Sequence, residues 1–418
     1  MAQDIQTKAT DARLDQGDSR VRHDTGLSGA LRGFIDRVSS GDLGMLPVVV
    51  GLVLISIAFS LLNPVFLAPA NLVNVLFDAA AVGFIALGVV CVLLLGEIDL
   101  SIGSMSGLSS AIIGVLWINT GLPLAVAIAG SLAMGALVGV VYGVLRNRFE
   151  MPSFVATLSG LLALLGLQLY ILGPTGSINL PFTSPLVRFG QILIMPAWLS
   201  YLVAVLPGVV IVVGAIRTNA QRTAANLSSA GMSVAIAKAV VLTLGLVFAV
   251  YYLELSRGVP WMFGVFVLFV VLLDYALVRT QWGRSMFAVG GNAEAARRSG
   301  INVRRIRMSA FVVCSTFAAL GGVFAAARLA SASQQAGSGD VNLNAIAAAV
   351  VGGTSLFGGR GSAWSALLGV LVIMAISNGL TLLNLSSSLR YMITGAVLAI
   401  AVIVDSLARR SRASHGRA

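Results

Sequence analysis

Apolar residues in this chain fall into twelve runs separated by short polar or charged turns. The runs cover about 45–62, 76–95, 102–118, 122–145, 154–173 and 197–216, then 236–256, 260–279, 308–329, 343–358, 362–383 and 390–407. Most approach the ~20 residues that a helix needs to cross ~30 Å of hydrocarbon. In that medium every backbone polar group must be satisfied within the protein, which helices achieve residue by residue. The pattern predicts an all-α polytopic membrane protein of about 10–12 transmembrane helices. The tenth run is too short to cross comfortably and is expected to be broken or re-entrant.

The longest charged interruption of this pattern is Trp282–Met308. With Arg279 it gathers Arg284, Arg297, Arg298, Arg304, Arg305 and Arg307 against one acid, Glu294. A short helix is marked at both ends inside it. Asn292 is its N-cap, Glu294 lies in the first turn, Arg297 and Arg298 in the last, and Gly300 follows as the C′ residue. A helix of about seven residues is marginal alone, because nucleation is costly. It therefore needs something to dock against.

Composition agrees with the pattern: 57% of residues are hydrophobic, 10% are charged and the mean hydropathy is +0.94. A soluble chain carries about a quarter charged residues. The net charge of +11 does not point to nucleic acid, because the basic residues sit in turns between apolar runs, where they set topology and meet anionic lipid headgroups. With the N-terminus inside and the runs alternating, inner turns hold seventeen Lys and Arg, outer ends hold four (Arg188, Arg257, Arg328, Arg390), and six lie in the first 44 residues. Both termini and the 282–308 segment are then cytoplasmic. Residues 1–44 mix basic and acidic groups without a signal-peptide pattern and are expected to be a disordered tail, as residues 408–418 are expected to be a basic one. Cys91 and Cys314 both lie in apolar runs, giving no disulfide framework and no metal-ligand spacing. The two histidines, His23 and His415, are in the tails, and no catalytic constellation or nucleotide site is visible.

Several polar features remain. The turn Gly96-Glu-Ile-Asp-Leu-Ser-Ile-Gly-Ser104 has two acids and no base. It is either an acidic helix start with Ser101 or Asp99 as cap, a lining of a polar pathway, or a contact with a partner subunit. Asn342-Leu-Asn344 echoes Glu97-Ile-Asp99 after a span of opposite direction, as two inverted halves over spans two to five and nine to twelve would produce. Glu97, Asp99, Ser101, Asn342 and Asn344 are thus candidates for the substrate pathway or for contact with an external protein. Gly135, Gly139 and Gly143 form a small-residue ridge for close helix packing, within the chain or between subunits. The glycine-rich 351–362 stretch lacks the Gly-Lys-Ser/Thr ending of a P-loop and is expected to be a packed, flexible break. Asp274 is expected to pair near the interface with Arg279, the alternative being a proton-coupling carboxylate.

Arg279-Thr-Gln-Trp-Gly-Arg284 followed by Gly290-Gly-Asn-Ala-Glu-Ala-Ala-Arg-Arg-Ser-Gly-Ile301 resembles the coupling loop of sugar-importing ABC permeases, the ribose/xylose/arabinose permease family. Similar stretches are Phe66-Leu-Ala-Pro-Ala-Asn-Leu-Val-Asn74, Glu97–Gly103, Pro152-Ser-Phe-Val-Ala-Thr-Leu158 and Ala345–Ser355. The likeness covers about 45–407, and extra helices at about 197–256 make the layout similar to the D-xylose permease branch. The resemblance implies a permease that dimerises in the bacterial cytoplasmic membrane, binds two ATPase subunits inside and receives sugar from an external binding protein. It implies that ATP is bound by those partners, and that Gly290, Gly291, Asn292, Glu294, Ala295, Ala296, Arg297, Arg298 and Gly300 form the coupling site. Where the family carries Glu-Leu-Asp this chain has Asn342-Leu-Asn344, two charges fewer at a site expected on the outer side. The rival readings are a branched-chain amino-acid type ABC permease and a single-chain, ion-coupled secondary transporter. Asn74, Gln168, Asn179 and Asn378 are further candidates for a polar wall.

Overall fold

The computed structural model describes residues 45–227 and 231–414, apart from the side chains of residues 398, 401, 402 and 404–414. The expected N-terminal tail lies outside the described residues. All twelve apolar runs are helical. In chain order the elements are α1 (Leu46–Leu62), α2 (Pro69–Leu94), α3 (Ile102–Ile113, continued by a π-turn over Gly114–Asn119), α4 (Leu124–Arg148) and α5 (Ser153–Leu172). β1 (Ser177–Asn179), α6 (Pro185–Gln191), α7 (Ala197–Ala224), α8 (Met232–Glu254) and α9 (Trp261–Arg279) follow. The chain ends with α10 (Gln281–Gly291), α11 (Ala293–Arg298), α12 (Val303–Leu329), β2 (Ser331–Ser333), α13 (Val341–Val351), α14 (Ala363–Leu382) and α15 (Ser387–Ser414). Among the described residues, nine helices are long and apolar enough to cross a membrane. The tenth run is the short α13, 11 residues ending in a turn.

Two helices depart from the sequence expectation. Helix α2 begins seven residues before its apolar run, with Pro69 at N1, where its missing N–H costs nothing. Its polar first turns are accommodated because Asn71 donates to Phe66 O and exchanges amide hydrogen bonds with Asn378 of α14. Helix α10 occupies part of the charged segment, where the sequence pattern marks only the short helix after it. Helix α15 continues through Ser414, into the basic segment 408–418.

The chain forms two compact units: Gly44–Met195 with Val259–Arg409, and a smaller one built on Pro196–Gly258. The larger unit is centred on α2 and α12, which pack on one another. Small residues make this possible: a Cβ on Gly88 would meet the Cys314 backbone, and one on Gly321 would meet Ile85. Around this pair the packing is reciprocal. Helix α4 lies on α12 and α3, while α14 lies on α2 and α13. Each half thus runs long helix, coil, short helix, long helix, the pattern of inverted repeats. The antiparallel β1–β2 pair ties the far ends of α5 and α12 together. Helix α9 joins the core through Phe266, whose ring fills the space over Gly83 and meets Phe84 edge-on.

The ridge Gly135, Gly139, Gly143 packs within the chain, against Ser315, Val312 and Met308 of α12. Replacing Gly139 by valine sets a Cβ against Val312 Cα and Phe311 O, which are backbone atoms. Overpacking of this kind costs about 1–3 kcal/mol. A lowered melting temperature of the detergent-purified protein is the expected result, and an unchanged one means that the ridge has room to spare.

The smaller unit is the hairpin α7–α8, closed where Gly208 admits Thr243. Its two helices are apolar around most of their surface, and few of their residues are buried. Hydrocarbon rather than water suits such a surface.

Candidate functional site

Helices α10 and α11 build the charged segment as two short, differently marked helices. Thr280 caps α10 by accepting from Gly283 N, and α10 buries Gly283, Met286 and Val289 on one side. The Trp282 Nε1–H donates to Ser309 Oγ at 2.8 Å, which fastens α10 to the first turns of α12. Helix α11 has the caps its sequence implies. Asn292 Oδ1 accepts from Glu294 N at 3.0 Å and Ala295 N at 2.9 Å. At its end Gly300 has φ +84°, with Gly300 N bonded to Arg297 O and Ile301 N to Ala296 O. That pair of bonds is the Schellman arrangement. Glu294 pairs with Arg297 at 2.7 Å and with Arg298 at 3.2 Å. Ala296 alone of α11 is buried, while the two arginines project outward, 69% and 79% exposed.

The turn into α11 is not made by glycine conformations. Gly290 and Gly291 are the last residues of α10, and Asn292 itself, at φ −157° and ψ 103°, turns the chain. Gly290 has a different role. A Cβ there would collide with Leu94 O at the end of α2 and would stand 2.7 Å from Gly359 N. Gly359 N in turn donates to Leu94 O at 2.8 Å. Gly96 (φ +70°), Gly358 (φ +84°) and Gly359 (φ +74°) shape the two turns that meet there. So the glycine-rich stretch after α13 is a packed turn, and three backbone segments touch at Gly290: the end of α10, the end of α2 and the 352–361 turn.

Beside this junction lies Glu97, 6% exposed. Arg146, near the end of α4, donates from Nε to Glu97 Oε1 at 2.8 Å. Arg307, in the first turns of α12, places Nε 3.4 Å from the same oxygen, an ion pair without hydrogen-bond alignment. Asn147 also donates to Arg304 O at 2.8 Å. The acidic turn therefore faces the charged segment and is bound to it.

Deeper in the same turn, neither Ser101 nor Asp99 acts as the expected cap of α3. Asp99 Oδ1 accepts from Ser101 N at 2.8 Å and from Ser101 Oγ at 2.7 Å, and Ser101 Oγ accepts from Tyr142 Oη at 2.7 Å. The backbone donors Ile98 N and Leu100 N go to Ser153 Oγ and Thr157 Oγ1 of α5. The N-terminal donor Gly103 N goes instead to Asn342 Oδ1, 239 residues away. Asn344 is buried and donates to Asp340 Oδ2 at 3.0 Å. Glu97, Asp99 and Ser101 thus lie inside the protein at the α10–α11 end, Asn342 ties α13 to α3, and Asn344 is buried against Asp340 at the start of its own helix. Asp274 is half-buried and accepts from Ser362, the N-cap of α14, at 3.5 Å. Of the further wall candidates, Asn378 is engaged with Asn71, Gln168 with the Ser333 and Ala336 carbonyls, and Asn74 with Arg328, while Asn179 is exposed in β1.

Sequence reading missed Arg146 and Arg307 as partners of Glu97, and the contact at Gly290. Paired glycines at 290–291 and 358–359 were the available signal.

Comparison with known proteins gives this geometry its context. The family described as branched-chain amino acid transport system / permease component matches residues 71–402. The chain is 33% identical over 347 residues to the xylose transport system permease protein XylH of Escherichia coli, covering 82% of this chain and 87% of the relative. It is 35% identical over 382 residues to the probable ABC transporter permease protein YphD of Escherichia coli (91% and 94% covered). To the ribose import permease protein RbsC of the same organism it is 32% identical over 359 residues (85% and 91%). No solved structure matches. The nine long apolar helices among the described residues, the reciprocal halves and a family match over residues 71–402 agree, and the chain belongs to this permease family, among its ribose and xylose ABC importer permeases.

Proposed function

We propose that this chain is the transmembrane subunit of an ATP-driven importer that carries a monosaccharide, D-xylose or a similar pentose, across the bacterial cytoplasmic membrane. It works as a homodimer with both termini cytoplasmic. Separate ATPase subunits bind the ATP and engage α11, and an external binding protein delivers the sugar. The observation that carries this reading is α11 itself. It is capped at both ends, presents Glu294, Arg297 and Arg298 outward, and continues from an α10 whose last turn touches α2 and the 352–361 turn. A six-residue helix kept in this form and left exposed has the shape of a ligand for a groove. Movement imposed on it reaches the first half through Leu94 and the second half through Gly359, which is how one site biases the states of another.

The test replaces Glu294 and Arg297 together by alanine in the reconstituted complex. Both side chains are more than half exposed, so folding and membrane insertion should persist. Pentose uptake is expected to fall to background while ATP hydrolysis no longer responds to loaded binding protein. Normal uptake in the double variant overturns the reading.

A further inference from the structure

The coil 334–340, between β2 and α13, enters the apolar layer. Its depth can be followed along α3. At the β2 end, a Cβ on Gly114 would meet Ala332 at 3.1 Å. One on Gly107 would meet Ala336 O, and one on Gly103 would meet Gly337 O. Gly114 to Gly103 is about 16 Å of helix at 1.5 Å per residue, roughly half of a ~30 Å hydrocarbon core. The chain therefore runs beside this candidate span, from Gly114 to Gly103, before α13 begins.

It is held there from behind. Gln168 of α5 donates to Ser333 O at 2.9 Å and to Ala336 O at 3.0 Å, Asn342 accepts from Gly103 N, and Asn344 donates to Asp340. Its other side is open: Gln334, Gln335, Ser338 and Gly339 are exposed and Asp340 is half-exposed. Exposed Tyr391 of α15 borders it, with its hydroxyl 3.7 Å from where a Gly339 Cβ would stand.

Irregular backbone at this depth occurs only where it is buried in protein or lines a water-filled cavity, because lipid satisfies no backbone polar group. Here the coil is neither helical nor covered by its own protomer. We propose that residues 334–340 line the aqueous translocation pathway, and that Gln335, Ser338 and Asp340 are groups that a polyhydroxylated substrate meets on its way through. An amide, a hydroxyl and a carboxylate supply donors and acceptors together, the inventory that sugar hydroxyls require. The substrate class rests on the sugar-importer reading above; the water access does not.

The two halves of the inference are tested separately. Ser338→Cys and Gln335→Cys are made beside Leu137→Cys, an exposed apolar position on α4. Native Cys91 and Cys314 are buried and serve as the unreactive background. In membranes holding the whole transporter, a charged, membrane-impermeant methanethiosulfonate is expected to modify the Ser338→Cys and Gln335→Cys proteins far faster than the Leu137→Cys protein. Modification of either pathway variant should abolish D-xylose uptake. Modification no faster than that of Leu137→Cys, or oxidative cross-linking between two copies of Ser338→Cys in place of modification, overturns the pathway assignment. Gln335→Leu should lower uptake about tenfold, the worth of roughly one hydrogen bond to substrate, with ATP hydrolysis retained. Unchanged uptake in that variant removes the residue from the pathway. Failure of the wild-type transporter to import any pentose sinks the pentose reading and leaves the labelling result standing.

Discussion

Valine in place of Gly290 is expected to abolish sugar uptake by a transporter that still inserts and assembles. The added Cβ would overlap Leu94 O and press on Gly359 N, and both are backbone atoms that cannot rotate aside as a side chain can. Overpacking against flexible neighbours costs about 1–3 kcal/mol, occasionally more; with no rotamer available to relieve it, the turn itself must move. That displaces α10 from the ends of both halves. Gly291 is the internal comparison. Nothing lies within 4 Å of a Cβ built there, and its φ is not in the left-handed region. Gly291→Ala is therefore expected to leave uptake intact and to stabilise the last turn of α10 by about 0.5–1 kcal/mol. The measurement is D-xylose uptake into proteoliposomes, with membrane abundance and ATP hydrolysis followed in parallel. Equal uptake by Gly290→Val and Gly291→Ala proteins would show that contact at Gly290 transmits nothing.

The contrast between these neighbouring glycines illustrates what the sequence could and could not reveal. Spans were legible because their signal is length and hydropathy, both local. Helix α11 was legible for the same reason: Asn292, Glu294, Arg297 and Gly300 cap it from within nine residues. The ridge at Gly135, Gly139 and Gly143 was legible as a ridge, and its partner α12 was not. Whatever depended on a distant partner stayed hidden. Asn71 in the first turn of α2 reads as polar and non-spanning until Asn378 is placed beside it. Asn342 reads as an outward polar residue, whereas its amide oxygen caps α3. Helix α10 was missed because three glycines, at 283, 290 and 291, dilute its helical signal. Two of those glycines are there for contacts: Gly283 lies against the Leu277 backbone and Gly290 against Leu94. The same substitution rule, small residues for close approach, thus wrote the site and obscured the element that carries it.

Removing the charge of Glu97 is expected to have an effect of similar size by a different route. Glu97→Gln keeps shape and volume and leaves Arg146 and Arg307 facing one another with no counter-charge at Glu97. Their side chains are only 23% and 24% exposed, so water compensates in part. Removing one partner of a buried pair costs about 3–5 kcal/mol, and the residual exposure places this case near the low end, at about 3 kcal/mol. The loss should appear as a lower melting temperature of the purified protein and as weaker coupling, since Arg146 belongs to the first half and Arg307 begins the second. Arg307→Gln alone should cost less, because Glu97 keeps its aligned hydrogen bond from Arg146. Adding Arg307→Gln to Glu97→Gln should then recover part of the stability, because it removes the repulsion that the first change exposed. A cycle of these three variants isolates the interaction, expected at about 1–2 kcal/mol for residues in one network. Strict additivity would mean that Arg307 does not interact with Glu97, and that Arg146 alone answers its charge.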